Sequence, residues 1–456
     1  MMRTILLVST YDLGRQPFGL ASPAAWLGEA GFTVRCLDLA LEALDPEAVR
    51  AAGLVAFHLP MHAATRLAAR EIPRVRALHA RAHLCAYGLY APMNAAHLRG
   101  LGVHTVLGAE YEADLVRLAR HLAGEDVPAP PAAPGPPTER LEFRVPERGA
   151  LPALERYARL ERGDGRARVV GYTEASRGCR HLCRHCPVVP VYQGRIRIVQ
   201  REIVLEDVRR QVAAGAEHVT FGDPDFFNGP GHVLPLVRAL HAEHPRLTYD
   251  VTIKIEHLLR HRQHLPTLRE TGCLFVTSAV ESVDDRVLAL LDKGHTRADF
   301  VEAVALLREA GLHFHPTFVA FHPWTTRAGY LELLDNLDEL DLVESVAPVQ
   351  LAIRLLVPAG SRLLDLAEVR DLVEPFDEAR LVHPWRHADP GVDRLQREVE
   401  AMVAAASARG ELRGAVFARA RALAEAAAGR HARALAWTAR APRRPPVPFL
   451  TEPWYC

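Results

Sequence analysis

Lysine is nearly absent from this 456-residue chain, although Lys and Arg together number 55. Lys254 and Lys293 are the two lysines, so almost every positive charge is an arginine. The 55 acidic residues balance the basic ones and leave a formal net charge of zero. This balance gives no electrostatic reason to expect binding to nucleic acid or to an anionic membrane surface.

Long hydrophobic runs are also missing. No apolar stretch approaches the roughly 18 to 20 residues that span a bilayer, and the N-terminal MMRTILLVSTYDLG becomes polar too early for a signal peptide. Seven cysteines are too few and too unevenly spaced for a disulfide framework. We therefore expect a cytoplasmic globular protein of two or three compact units.

Strand-like and helix-like segments alternate over residues 1–126. Five apolar segments separated by Ala/Arg/Leu-rich stretches predict an α/β domain with a doubly wound, Rossmann-like parallel sheet. The predicted strands are 4–9, 32–39, 53–60, 83–90 and 104–110. The Pro-rich segment 127–137 can build neither a helix nor a sheet, so we interpret 127–160 as a linker.

A second alternating series occupies residues 161–360. Its predicted strands are 168–173, 218–223, 247–255, 273–281, 313–321 and 349–357. Six successive βα units predict a partial (β/α)6 barrel, in which the chemistry lies on the loops beyond the carboxyl ends of the strands. Residues 361–456 are Ala/Arg/Leu/Glu-rich and predicted to be helical, notably at 394–408 and 411–438.

Three of the seven cysteines, Cys179, Cys183 and Cys186, lie in one eight-residue segment after the first predicted barrel strand. Thiolates at this spacing can hold three corners of a cubane iron–sulfur cluster and leave one iron without a protein ligand. A structural zinc ion is the alternative, with His181 or His185 as its fourth ligand. Zinc would close the coordination shell, whereas the cluster would keep one position open.

The CxxxCxxC spacing after the first strand of a partial barrel resembles the radical S-adenosylmethionine (SAM) superfamily over residues 165–360. The resemblance implies that Cys179, Cys183 and Cys186 bind a catalytic 4Fe–4S cluster whose open iron is chelated by SAM. It also implies one-electron cleavage of SAM to methionine and a 5′-deoxyadenosyl radical, with a flavodoxin or ferredoxin as electron donor. The family often has an aromatic residue before the third cysteine, where this chain has His185.

Polar residues at the other predicted strand ends correspond to SAM contacts in the same family. Phe221-Gly222-Asp223-Pro224-Asp225-Phe226 stands where the family has a Gly-Gly-Glu-like segment for the SAM amino group, and an Asp-Pro helix cap is the alternative. Alternation predicts Lys254 and Glu256 on one face, as ligand contacts or as an ion pair; Lys254 could instead pair with Glu281. The resemblance places Glu281 at the SAM ribose. The candidate SAM-binding residues are Gly222, Asp223, Asp225, Lys254, Glu256 and Glu281.

A five-stranded parallel sheet before such a barrel resembles the cobalamin-dependent class of the superfamily. A large cofactor would lie in the crevice beyond the strand ends. The Asp-x-His-x-x-Gly motif that supplies a histidine to cobalt elsewhere is absent, because Leu13 and Gly14 follow Asp12. We therefore expect cobalamin without that lower axial ligand; a sheet that binds no cofactor is the alternative. The candidate cobalamin-binding residues are Tyr11, Asp12, Gly14, Gly88, Tyr90 and Gly108.

These features favour a cobalamin-dependent radical SAM enzyme that methylates an unactivated carbon or phosphorus, or performs another radical transformation. One alternative is a cobalamin-independent radical SAM enzyme in selenium, sulfur or peptide chemistry. Another is a zinc-stabilised binding protein without catalytic activity. The related methylthiotransferases match less well, because their first domain supplies three further cysteines, whereas Cys36 and Cys85 lie inside predicted strands.

The last six residues are Thr451-Glu452-Pro453-Trp454-Tyr455-Cys456. They resemble the start of the Cys-Sec-Ala-Glu-Pro or Cys-Cys-Ala-Glu-Pro tail of one radical SAM family, cut at a UGA codon. The resemblance implies a selenoprotein with a Cys-Sec pair, and an ordinary terminus is the alternative. A UAA or UAG stop after codon 456 would exclude the selenoprotein.

Overall fold

The computed structural model describes residues 4–108, 110–131, 141–430 and 447–452. Cys456, and the selenocysteine hypothesis attached to it, lie outside these residues, as does part of the predicted Pro-rich linker. Among the described helices, none combines the length and the apolar character that a membrane crossing needs.

The first sheet is parallel and has five strands. They are β1 (Thr4–Ser9), β2 (Thr33–Asp38), β3 (Leu54–His58), β4 (His83–Tyr87) and β5 (Thr105–Val106). Their order, β2-β1-β3-β4-β5, reverses direction between β1 and β3. This is the predicted doubly wound topology, and it opens a crevice at the carboxyl edge where the order reverses. β5 is shorter than the predicted 104–110, because this edge strand pairs only with Cys85 and Ala86 of β4.

Five helices cover the two faces of this sheet. They are α1 (Phe18–Glu29), α2 (Pro46–Ala51), α3 (His62–Leu78), α4 (Ala95–Gly100) and α5 (Glu112–Leu122). Residues of α1 and α5, such as Leu20 and Leu115, pack on one face, and residues of α3, such as Ile72, pack on the other. β1, β3 and β4 are therefore buried on both faces, which explains their nearly uninterrupted apolar sequences.

The second sheet contains the predicted barrel strands. Five of its strands are parallel: β7 (Ala167–Thr173), β10 (His218–Phe221), β11 (Thr248–Thr252), β12 (Cys273–Glu281) and β13 (His313–Phe318). Two short antiparallel strands, β6 (Arg159–Glu161) and β14 (Phe449–Leu450), extend the β7 edge and were not predicted from the sequence. The order is β13-β12-β11-β10-β7-β6-β14. The fold class, a parallel sheet followed by a partial barrel, is confirmed.

Helices alternate with the barrel strands and continue into the C-terminal region. The barrel helices are α6 (Val188–Tyr192), α7 (Arg201–Ala213), α8 (Pro230–Glu243), α9 (Ile255–Arg260), α10 (Leu265–Glu270), α11 (Asp285–Leu290), α12 (Arg297–Glu309) and α13 (Arg327–Glu339). The later helices are α14 (Ala367–Arg370), α15 (Pro390–Ala408) and α16 (Arg413–Ala427). Val399 of α15 and Phe417 of α16 belong to the same hydrophobic core as barrel residues such as Phe300. The C-terminal helices therefore stabilise the barrel directly.

Two details of the predicted barrel are wrong. Residues 349–357 do not form a sixth strand: Pro348–Leu351 is a 3-10 helix, and strand-like pairing is limited to one bridge between Phe321 and Arg354. The Arg354 guanidinium is instead held by Asp393, 2.7 Å away on α15. The third strand ends at Thr252 rather than at 255, so Lys254 and Glu256 lie at the start of α9 and not on one face of a strand.

The bounds of the C-terminal helices in the structure also differ from the predicted bounds. α15 begins at Pro390, earlier than the predicted 394, because the Asp389 carboxylate caps it by accepting from the Gly391 N–H at 2.8 Å and proline suits the first helical turn. The described part of the second helix ends at Ala427.

Candidate functional site

The cysteine segment is bracketed by a small antiparallel ribbon, β8 (Ser176–Gly178) and β9 (Ile196–Ile198). Gly178, immediately before Cys179, has a φ of 74°, and a Cβ atom there would lie 2.4 Å from the Arg195 carbonyl oxygen. Only glycine fits this position. Inside the loop, the Cys186 N–H donates to the Cys183 carbonyl at 3.2 Å. Gly178 and the hydrogen bond between Cys186 and Cys183 therefore constrain the backbone of the loop.

The three thiols of this loop form one electrostatic group. Burial raises the pKa of Cys179 and raises that of Cys186 to about 12, and the Cys183 thiol adds to both effects. A bound metal reverses this preference because it stabilises the thiolate. The loop therefore offers three sulfur ligands, of which Cys183 is buried and Cys179 and Cys186 are half-buried, and a bound metal would favour their thiolate form.

His181 contacts charged groups of the barrel. Its Nδ1 lies 3.0 Å from Lys254 Nζ and 3.6 Å from Glu256 Oε2. Lys254 and Glu256 form the predicted ion pair at 3.4 Å, although through a helix start and not through strand alternation. Arg260 holds the other Glu256 oxygen at 2.6 Å. These contacts connect the cysteine loop to the carboxyl end of β11.

Asp225, which follows β10, also contacts His181. Its Oδ2 lies 3.3 Å from His181 Nε2 and 2.7 Å from His257 Nδ1, and its Oδ1 accepts from the Phe227 N–H at 3.2 Å. Burial opposes ionisation, but the two histidines lower the pKa of Asp225 below its usual value. Ligand atoms of Cys179, His181 and Asp225 lie within 4.8 Å of one another. Asp225 therefore borders the cysteine site and also caps a short 3-10 turn.

Glu281 ends β12 in a left-handed conformation with a φ of 71°, which is rare for a residue with a side chain. Its carboxylate accepts from His185 Nε2 at 3.0 Å and lies 3.5 Å from Lys293 Nζ. Burial opposes ionisation, but Lys293 and His185 lower the pKa of Glu281 to about 2. The considered Lys254–Glu281 pair does not form. His185 is therefore engaged by Glu281, whereas a ligand atom of His181 lies within 4.8 Å of the Cys179 sulfur.

Gly222 and Asp223 follow β10 and lie against β7 and β8. A Cβ atom at Gly222 would be 1.7 Å from the Tyr172 hydroxyl oxygen, so glycine is required there. The Asp223 carboxylate accepts from Ser176 Oγ at 2.5 Å and from the Ala175 N–H at 2.9 Å. Burial raises the pKa of Asp223 to about 7. Asp223 thus holds β8, and with it the base of the cysteine loop.

A cleft lies between the carboxyl edge of the first sheet and the barrel. From the sheet side it is lined by residues that follow β1, β3 and β4, including Asp12, Met61 and Gly88. From the barrel side it is lined by residues near β7, β8 and β10, including Gly178 and Gly222. The cleft therefore joins the crevice of the first sheet to the base of the cysteine loop.

The residues predicted for the first sheet divide into two sets. Asp12 and Gly88 line the cleft, and burial raises the pKa of Asp12 to about 7. The other four predicted residues are not part of the cleft lining. Gly14 accepts from the Ala158 N–H at 2.8 Å, Gly108 accepts from the Gly88 N–H at 3.2 Å, and Tyr11 and Tyr90 are buried. Tyr90 lies near the cysteine loop, since the Cys186 thiol contributes, after burial, to raising its pKa.

Sequence reasoning missed Arg177, which lines the cleft two residues before Cys179. Its guanidinium donates to Glu112 Oε1 and to Glu174 Oε2, both at 2.7 Å, and lies over the Tyr111 ring at 5.6 Å. Glu112 also accepts from Ser22 Oγ at 2.7 Å. The basic residue directly before Gly-Cys was the available signal. Its partners on α5 could not be read from the sequence.

His58, the last residue of β3, was also missed although it lines the cleft. Burial, and secondarily the Arg177 charge, lower its pKa to about 3. The signal was a polar residue that closes an otherwise apolar strand at the edge where a parallel sheet binds its ligands.

Residues 173–334 match the family model of the radical SAM superfamily. These residues form a radical SAM domain. Such a domain implies a 4Fe–4S cluster and SAM as cofactors, and the matched span contains the cysteine loop and β10 to β13. The radical SAM assignment made from the cysteine spacing is therefore confirmed.

Solved structures of two radical SAM proteins share the fold of this chain. One is the radical SAM methyltransferase TsrM from Kitasatospora setae, solved with tryptophan and a SAM analogue; it has a TM-score of 0.66 and 20% identity, over 80% of this chain and 76% of TsrM. The other is the cobalamin-dependent radical SAM enzyme OxsB, solved with aqua-cobalamin, with a TM-score of 0.69 and 13% identity over 89% of this chain and 67% of OxsB. Both similarities extend beyond the radical SAM barrel into the first sheet.

Curated sequence relatives are more distant. A tRNA-2-methylthio-N(6)-dimethylallyladenosine synthase from Prosthecochloris aestuarii is 24% identical over 180 residues, which are 38% of this chain and 41% of that protein. The corresponding protein of Chlorobium chlorochromatii is 27% identical over 223 residues, 46% of this chain and 47% of that protein. The chain thus spans less than half the length of these relatives.

Proposed function

We propose that this radical SAM protein is a cobalamin-dependent enzyme whose favoured reaction is methyl transfer to an unactivated carbon or phosphorus. The observation that carries the proposal is the cleft that joins the crevice of the first sheet to the cysteine loop. A cofactor in that crevice would face the barrel. The fold shared with TsrM and OxsB supports the same arrangement.

The residues of the loop fit a cluster with one open iron. Cys179, Cys183 and Cys186 would hold it, while His181 and His185 are engaged by barrel groups. When bound, the cluster and SAM supply a carbon-centred radical by one-electron cleavage of SAM. The protein side of this chemistry is positioning: Asp225 and Glu281 fix the two loop histidines through buried, charge-assisted contacts.

The cleft residues also fit a corrinoid. When bound, cobalamin supplies a transferable methyl group. Gly88 lines the cleft and has a φ of 106°. A Cβ atom there would lie 3.0 Å from the Leu59 carbonyl oxygen, so this position favours glycine. His58 Nδ1 is buried and finds no hydrogen-bond partner among the residues that the structure describes. A buried polar atom without a partner is a costly feature that a bound group would relieve.

We further propose that an acidic electron donor, such as a flavodoxin or ferredoxin, docks on the outer face of the cysteine loop. Leu182, between Cys179 and Cys183, is 44% exposed, an unusual value for a leucine. Arg180 and Arg195 are both exposed, and a Cβ atom at Gly194, next to Arg195, would lie 3.4 Å from Leu182 Cδ2 and 3.5 Å from the Arg180 carbonyl oxygen. An apolar contact with flanking positive charges suits an acidic redox protein.

Anaerobic purification and reconstitution test the enzyme assignment. The expected result is about four irons with labile sulfide per chain, corrin absorption bands after incubation with cobalamin, and 5′-deoxyadenosine formed from SAM under dithionite. Bound zinc with no labile sulfide would overturn the radical SAM mechanism. A cluster with SAM cleavage but no corrin bands would leave the cobalamin-independent alternative.

The methylthiotransferase activity of the curated relatives is not favoured. Cys36 lies in β2 and Cys85 in β4, where neither can reach the other across the intervening strands β1 and β3. Burial raises the pKa of Cys36 to about 12 and raises that of Cys85 further. Both thiols behave as small hydrophobic side chains and not as ligands of a second cluster.

A further inference from the structure

Arg15, in the loop after β1, extends from the first sheet to the barrel. Its side chain lines the cleft, and its guanidinium carbon lies 5.1 Å from the centroid of the Tyr172 ring on β7. The Tyr172 hydroxyl in turn lies against Gly222, which follows β10. Arg15 is therefore placed beside the carboxyl ends of two barrel strands, where substrates bind in this type of fold.

Glu452, in the C-terminal segment, holds one nitrogen of this guanidinium. Arg15 Nη2 donates to Glu452 Oε1 at 2.9 Å, and the two side chains are 21% and 11% exposed. Glu452 follows β14, which pairs with β6, and the Thr451 N–H donates to the Arg159 carbonyl oxygen at 2.8 Å. Glu452 is not among the residues that line the cleft, so its carboxylate fixes the guanidinium from beside the cleft.

Arg15 leaves part of its donor capacity unused. Its Nε is buried and has no hydrogen-bond partner among the residues that the structure describes. Arg177, which also lines the cleft, donates from all three of its side-chain nitrogens. Arg148, which contacts β7, binds both oxygens of Asp207 through Nε and Nη2 at 2.8 and 2.9 Å. Arg15 differs from these two arginines because it can accept a second acidic partner.

The other carboxylates near Arg15 do not fill this capacity. Glu174 accepts from Arg177 Nε at 2.7 Å. Asp250 lies within hydrogen-bond distance of a histidine and a threonine of β10. Burial raises the pKa of Asp12 to about 7, which makes its carboxyl group a weak competitor for a positive charge. The guanidinium is therefore available to an acidic group that enters the cleft.

We propose that Arg15 binds an acidic group of the substrate, a carboxylate or a phosphoryl group, and that Glu452 positions the guanidinium for this contact. The inference rests on the proposed function, because it takes the cleft as the place where the substrate meets the cofactors, and it names the substrate class. A planar guanidinium matches the geometry of both oxyanions. The contact consists of charge-assisted hydrogen bonds, and no covalent bond is made or broken.

Anion binding to the full-length, reconstituted and corrin-loaded protein tests this role. Inorganic phosphate and acetate are titrated separately at constant ionic strength, with chloride as the reference anion, and the rise in Tm reports binding. The wild type should be stabilised in a saturable manner by at least one of the two probes, which tells a phosphoryl from a carboxylate preference. Arg15→Gln should weaken this binding about tenfold or more, because charged hydrogen bonds are lost.

Glu452→Gln distinguishes recognition from a purely structural ion pair. Glutamine keeps an acceptor oxygen for Arg15 Nη2 but removes the competing negative charge, so the affinity for the anion should rise several-fold. The control is Arg421→Gln. Arg421 of α16 is paired with Glu425, its Nη1 is also buried without a partner in the described part of the chain, and it does not line the cleft. Its substitution should leave the anion response unchanged.

Three results would overturn the inference. The first is an equal response of wild type and Arg15→Gln, or no response in either. The second is a weaker response in Glu452→Gln, as expected if the pair serves the fold alone. The third is a response that disappears when corrin is loaded, because Arg15 would then bind the corrinoid. Missing corrin absorption would instead contradict the proposed cobalamin dependence, and the anion titrations of the cluster-reconstituted protein would still test Arg15.

Discussion

The Arg177 guanidinium donates to the Glu112 carboxylate at 2.7 Å, and this pair joins the cysteine-loop ribbon to the first sheet. Both side chains are almost fully buried, at 7% and 0% exposure. Removing one partner of a buried pair leaves the other charge uncompensated. Arg177, with Glu174 as its second carboxylate partner, is therefore one of the side chains that join the two parts of the cleft, together with Tyr192, whose hydroxyl donates to Glu110 at 2.7 Å.

We expect Arg177→Met to lower the free energy of unfolding by about 3 to 5 kcal/mol, because Glu112 and Glu174 stay buried without a counter-charge. Urea denaturation measures this. The control is Arg74→Met, which removes an exposed pair with Glu71 at 2.8 Å and should cost at most about 1 kcal/mol. Equal losses of unfolding free energy in the two variants would contradict the expected effect of burial on the Arg177 pair.

Substituting any one of Cys179, Cys183 and Cys186 by alanine should abolish the stable cluster, because each is one of three sulfur ligands. Iron and labile sulfide per chain, measured after anaerobic reconstitution, should fall several-fold. Cys36→Ala is the control, since this thiol lies on β2, away from the loop. A full iron content in a loop variant would mean that another residue, such as His181, completes the site.

Gly19→Ala and Gly28→Ala form a matched pair on α1. A Cβ atom at Gly19 would lie 2.0 Å from His58 Cε1, whereas nothing lies within 4 Å of a Cβ atom at Gly28. Gly19→Ala should destabilise the fold by about 1 to 3 kcal/mol through overpacking. Gly28→Ala should stabilise it by up to about 1 kcal/mol through higher helix propensity. Thermal unfolding distinguishes them, and equal shifts would contradict the position of His58.

The stability of the fold should depend on pH through Asp12. Because burial chiefly raises the pKa of Asp12 from 3.8 to about 7, the folded state retains a proton that the unfolded state has lost. The contribution of the protonated Asp12 carboxyl group to folding stability is fully present below about pH 4 and is lost as the pH rises toward about 7.

Asp12→Asn should remove this dependence. Its stability relative to wild type should rise across that pH window by a few kcal/mol at most, since one pKa unit corresponds to about 1.4 kcal/mol. Asp126→Asn, at an exposed position, is the control. A pH-independent difference between Asp12→Asn and wild type would count against a raised pKa for Asp12.

The proposed donor surface predicts a selective kinetic defect. Arg180→Glu should slow reduction by an acidic flavodoxin at low salt about tenfold or more, because charge reversal removes electrostatic attraction, while reduction by dithionite stays unchanged. Arg246→Glu reverses another exposed charge and serves as control. If both variants respond alike, the donor does not dock at the cysteine loop.

Local sequence patterns sufficed to predict the succession of strands and helices and the cysteine loop. Uninterrupted apolar runs of four residues predicted β1, β3 and β4, because strands buried between two helix layers have no polar face. The spacing of Cys179, Cys183 and Cys186 predicted the ligand set, because all three lie within one short loop. These features are local, so neighbouring residues suffice to define them.

The pairing of groups that are distant in the sequence depends on the tertiary fold. Glu281 pairs with Lys293 and His185, not with Lys254, because a left-handed residue at the end of β12 turns its carboxylate toward them. The position of His58 opposite the barrel depends on the strand order, which no local pattern encodes. Contacts of this kind are selected by packing and by desolvation of charges across the whole fold, and a sequence read segment by segment does not contain them.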